Sequence, residues 1–72
     1  MGKKFNCKAL SKERKACGFK SYYSFGKALR TIVPTASTQL VFGWEVYGHA
    51  PSFKYLQAIA EVLKKDVSYF FD

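Results

Sequence analysis

Apolar residues recur along the chain at steps of three and four, with no sustained alternation, and that spacing predicts helices rather than strands. The first helix runs from about Phe5 to Cys17, with Phe5, Ala9, Leu10, Ala16 and Cys17 on one side and Lys8, Lys12 and Lys15 on the other. Gly18 terminates it. Ser21 is placed to cap a second helix in which Tyr22, Phe25, Leu29 and Ile32 form the apolar stripe. Pro34 drives Val33 into an extended conformation, so this helix stops before it. A third helix starts near Thr35 or Ser37, either of which can cap it, and continues to about Trp44 or Val46. Its inward face is Ala36, Leu40, Val41 and Trp44, with Thr38, Gln39, Phe42 and Glu45 opposite. "YGHAPS" reads as a loop closed by Gly48 and Pro51, after which Ser52 caps a fourth helix with the stripe Phe53, Leu56, Ile59, Ala60 and Leu63. The tail "DVSYFFD" opens on a possible Asp66 cap and is too apolar to be a free, solvated end.

Length and composition bound what these helices can build. Seventy-two residues make one domain, and a chain this short buries only about 60% of the surface its unfolded form exposes. Hydrophobic residues at 49% and aromatics at 18% suffice for one packed core. The expected architecture is therefore all-α, a compact bundle of four to five short helices in a single domain over residues 1–72. The first four residues are either a basic arm or a disordered end.

Cys7 and Cys17, ten residues apart on one expected helix, would stand roughly 15 Å from each other, too far for a disulfide. With His49 the one histidine, no zinc set assembles. Both cysteines are expected to be reduced packing residues, which suits the cytoplasm. No stretch has the ~18 apolar residues of a membrane span, and "MGKKFNCKAL" lacks the apolar run of a signal peptide.

Charge changes the picture more. The net charge is +7, and nine of the twelve Lys and Arg residues fall in the first thirty positions, where Glu13 is the only acid. Such asymmetry favours a polyanion as partner, against the plainer alternative of a solvated helix face that aids solubility. An enzyme is not expected: there is one His, no carboxylate pair, no nucleophile motif and no phosphate-cradling glycine loop. No cofactor, metal or small-molecule substrate is called for.

Helices of this length, with a small polar face on the third, match the plan in which one helix of a pair lies in the DNA major groove. Trp44, Glu45, Pro51, Ser52, Leu56, Ile59, Ala60, Leu63, Tyr69 and Phe70 stand at the spacing of the phage-repressor and Cro-like (Xre) helix-turn-helix family, which this chain resembles over its last thirty residues. Leu10, Arg14 and Gly18 look like the Leu, Arg and Gly of that family's first helix. The resemblance implies a lambda-repressor-like fold, a Trp-Glu pair closing the reading helix, and an ion pair between Arg14 and Glu45. It departs at "RTIVPT", where the family has a shorter turn with a glycine, so the junction between helices two and three must be extended here.

On this plan Thr38, Gln39 and Phe42 face outward near the start of the reading helix, with Ser37 at the edge of that face. Gln bonds an adenine edge, Thr donates or accepts, and Phe covers a thymine methyl. The bland alternative makes Thr38 and Gln39 ordinary surface residues and Phe42 a contact for a partner subunit. Lys20, Ser21 and Tyr22 at the second helix, Thr35, and His49, Ser52 and Lys54 at the fourth are the candidates for phosphate contact. For His49 an incidental surface role is the alternative.

The function expected is a sequence-specific regulator, a repressor of phage, plasmid or toxin-antitoxin type. It would bind double-stranded DNA as a homodimer, because one such module buries too little to discriminate well alone. Val67, Tyr69, Phe70 and Phe71 are the candidate dimer surface, unless the tail packs on its own core. A module that binds an acidic protein such as a toxin is the alternative function. RNA binding by stacked tyrosines is a third, but no GxxG loop is present.

Overall fold

The computed structural model describes residues 4–71. The described residues form four α-helices, α1 (Cys7–Ala16), α2 (Tyr22–Arg30), α3 (Thr38–Val46) and α4 (Phe53–Leu63), followed by a 3-10 turn at Val67–Phe70. Of the arm expected over residues 1–4, only Lys4 is among the described residues, and it is exposed. Among the described residues extended backbone pairs in one antiparallel bridge, Phe5 with Phe71, where the two rings meet edge to face at 5.9 Å. The Asn6 amide donates to the Phe70 carbonyl beside it.

Helix boundaries follow side-chain caps. Asn6, rather than a residue before Phe5, caps α1 by accepting from the amides of Lys8 and Ala9, so α1 starts two residues later than its apolar spacing predicts. Ser21 caps α2 in a reciprocal box with Ser24. Of the two expected caps for α3 it is Ser37 that serves, accepting from the Leu40 amide. Ser52 stands at the cap position of α4 without a side-chain hydrogen bond there. Asp66 caps the final turn. Gly18 leaves α1 at a positive φ of 90°, a conformation that glycine adopts without strain.

One core holds the elements together: Leu10, Phe25, Leu29, Ala36, Val41, Trp44, Ala58, Ile59, Leu63 and Phe70 are buried. The predicted stripes differ from it where an element ends or turns. Ile32 lies beyond the last turn of α2 and is 39% exposed. Phe53, the first residue of α4, is 65% exposed, because the buried arc of that helix runs through Leu56, Ala58, Ile59 and Leu63 and is rotated away from it. Ala58, absent from the predicted stripe, is fully buried in its place. On α1, Ala16 and Cys17 are exposed, and the inward position one turn after Leu10 is Arg14. Cys17 is thus not a packing residue; Cys7 is half-buried, and both thiols are free.

The junction of residues 31–37 is ordered by its own hydrogen bonds. The amides of Ile32 and Val33 donate to the Leu29 carbonyl, and that of Ala36 donates to Val33. The Arg30 guanidinium bonds the Ala36 carbonyl at 3.3 Å, and the Thr35 and Tyr55 hydroxyls meet at 2.9 Å, tying the junction to α4. Ala36 seals the underside in the core. Helix α2 then lies close against the start of α3: a Cβ on Gly26 would sit 3.2 Å from the Thr38 amide nitrogen.

Candidate functional site

Helix α3 has one face in the core and one in solvent. Inward lie Val41 and Trp44, and the Trp44 ring packs on Tyr55 of α4 at 5.4 Å. Outward, at helical steps of three and four, come Gln39, Phe42 and Val46, all exposed. Thr38 lies at the edge of this stripe, half-buried. Ser37 is half-buried with its hydroxyl committed to the helix cap, which makes it a structural residue first.

Glu45 belongs to the inner face, although periodicity put it opposite Trp44. Its Oε2 accepts from Arg14 Nε at 2.7 Å, and the two side chains are 3% and 2% exposed, so the pair implied by the family resemblance is formed and buried. Arg14 also donates to the Phe19 carbonyl and lies over the Tyr22 ring at 5.0 Å. The second Glu45 oxygen, Oε1, is buried without a hydrogen-bond partner among the described residues. This seam orients α3 on α1, and it leaves no charge on the outer face: α3 contains neither Lys nor Arg.

The expected contact residues fall into two groups on either side of the outward stripe. On one side Tyr22, the first residue of α2, meets the Phe42 ring edge to face at 5.7 Å. Phe42 in turn meets Tyr47 at 5.5 Å, and Tyr47 links this side to the other by packing on the His49 imidazole at 5.7 Å. Lys20 and Ser21 precede Tyr22 and are exposed, but the Ser21 hydroxyl is taken up by Ser24. On the other side α3 and the start of α4 enclose an open cleft of about 350 Å³, lined among others by Gln39, Gly43, Trp44, His49, Ser52 and Tyr55. Lys54 stands beside it with its ammonium 5.1 Å from the Tyr55 ring centre. Gln39, His49 and Ser52 are therefore brought together, and Thr35 adjoins them through Tyr55.

The expected dimer surface is corrected in one position. Phe70 has no exposed area and fills the core, because the final turn folds back against α1 and α4. Val67 and Phe71 are half-buried. Tyr69 is exposed, and its hydroxyl donates to Glu13 at 2.8 Å. That hydrogen bond, with some burial and the Glu13 charge, raises the Tyr69 pKa above its ordinary 10.0.

Sequence reasoning missed Gly26 and Val46 and held Tyr47 only as one of the tyrosines that could stack RNA bases. Gly26 could have been found as a lone glycine within a helical stripe; the other two sit at a helix end, where spacing does not decide orientation. Among the described residues no cluster of His, Cys, Asp and Glu could hold a metal ion, and no helix is long and apolar enough to cross a membrane. No family model, curated protein or solved structure matches the chain.

Proposed function

We propose that this chain is a sequence-specific DNA-binding regulator of the phage-repressor and Cro-like helix-turn-helix type, with α3 as the helix that enters the major groove. The observation that carries the reading is the position of the outward stripe of α3, flanked by the first residue of α2 through Tyr22 and by the start of α4 through the Ser52 cleft. Helix N-termini carry free amides and partial positive charge, so two of them beside one exposed helix suit the two phosphate backbones that border a groove. The net charge of +7 supplies the long-range attraction. Base contact then falls to Gln39, Thr38 and Phe42, and phosphate contact to Lys20, Tyr22, Ser52, Lys54 and the adjoining His49 and Thr35. Function as a homodimeric repressor belongs to the same proposal.

Selection from a pool of random duplexes at two salt concentrations tests it. A two-fold symmetric motif, with affinity falling steeply at the higher salt, is the expected result, since neutralised phosphates release counterions. A second reading has its own observation: α3 carries no cation, and it exposes Phe42 and Val46 beside the exposed Tyr47 that follows it, a surface that also suits a protein partner. Affinity for an acidic protein, together with no duplex binding at either salt, would select that reading instead.

A further inference from the structure

Base recognition needs particular side chains, and α3 offers a restricted set. Guanine is most often read by Arg or Lys reaching O6 and N7, cytosine by a carboxylate accepting from its N4 amino group. Helix α3 has no Arg or Lys, and Glu45, its one carboxylate, is buried against Arg14. What it exposes is one amide, Gln39, followed by the apolar side chains Phe42 and Val46. An amide is the bidentate partner of adenine, and an apolar surface is the partner of the thymine methyl. Phe42 is also held in place, its ring contacted edge-on by Tyr22 at 5.7 Å and by Tyr47 at 5.5 Å, and 38% of the residue stays open to solvent. A preordered ring loses little freedom when a ligand covers it.

Resting on the DNA reading above, we infer that the chain reads A·T pairs at the centre of each half-site, with Gln39 on adenine and the Phe42 ring on a thymine methyl. Lysines outside α3 supply affinity without sequence preference. Base preference and salt dependence therefore reside in different residues, and the preference comes from the methyl group itself rather than from the shape of A·T-rich DNA.

The test uses the unaltered protein and the duplex motif that random selection enriches. The expected motif has A·T pairs at the half-site centre. Replacing each central thymine by uracil removes only the methyl group, and affinity should fall about fourfold for each methyl that Phe42 covers. In Phe42→Ala the thymine and uracil duplexes should bind equally, while Gln39→Ala should keep the difference between them. Enrichment of G·C pairs at the centre would overturn the inference while leaving DNA binding intact. So would an A·T motif whose thymine and uracil forms bind the unaltered protein equally, since the preference would then belong to duplex shape. Failure to bind any duplex at low salt would remove the DNA reading itself, and this inference with it.

Discussion

The two faces of α3 are built to opposite rules from neighbouring residues. Glu45 and Trp44 face inward, where every position is constrained: the tryptophan by Tyr55 and the core, the carboxylate by a short ion pair to Arg14. Gln39, Phe42 and Val46 face outward with no charge, and the Phe42 ring meets Tyr22 and Tyr47 edge to face. A buried ion pair fixes geometry without adding much net stability, because desolvation offsets most of the attraction. The inner face thus sets where α3 points, and the outer face is left free to make contacts of its own.

The largest test of that division is on the inner side. Phe70→Ala should cost about 3–5 kcal/mol by opening a cavity beneath α1 and α4. Arg14→Ala should cost a similar amount, about 3–5 kcal/mol, by stranding a carboxylate that already has one oxygen without a partner among the described residues. Replacing both members of the pair with apolar residues should restore most of the loss. Thermal melts check all three, and an unchanged melting temperature for Arg14→Ala would mean that the pair does not hold the seam.

Outer-face changes should separate binding from stability. Gln39→Ala is expected to leave the melting temperature within the range of ordinary surface changes, about ±0.5 kcal/mol. It should cost about 1–3 kcal/mol in binding at one base position. Lys20→Ala should weaken all duplexes alike and lower the salt dependence. If the two variants behaved identically in a binding series, the division of labour between α3 and its flanks would be wrong.

Smaller effects lie at the chain's ends. Lys64 closes α4 at a positive φ of 56°, so Lys64→Gly should stabilise by up to about 1 kcal/mol in denaturant titration. Tyr69 donates to Glu13 only while protonated. Its raised folded-state pKa means that the stabilisation is fully present below the ordinary value of 10.0 and is lost as pH rises through the folded-state value. The stability difference between the parent chain and Tyr69→Phe should accordingly vanish in strongly alkaline melts, and a difference that persisted there would sink this assignment.

Sequence pattern and local chemistry left open four helices or five and Thr35 or Ser37 as the third cap, but were enough to determine the order of the helices, the caps at Ser21 and Asp66, the stop before Pro34, and the core positions Leu10, Phe25, Leu29, Val41, Trp44, Ile59 and Leu63. These are set within a turn or two of chain, by cap hydrogen bonds and by a period of about 3.6 residues. Tertiary structure alone decided that Phe53 is exposed and Ala58 buried, that Phe70 fills the core, and that Tyr22, Phe42 and Tyr47 share one surface. Those outcomes depend on which neighbour covers each helix face and where the elements end relative to the core, and spacing along the chain carries no information about either.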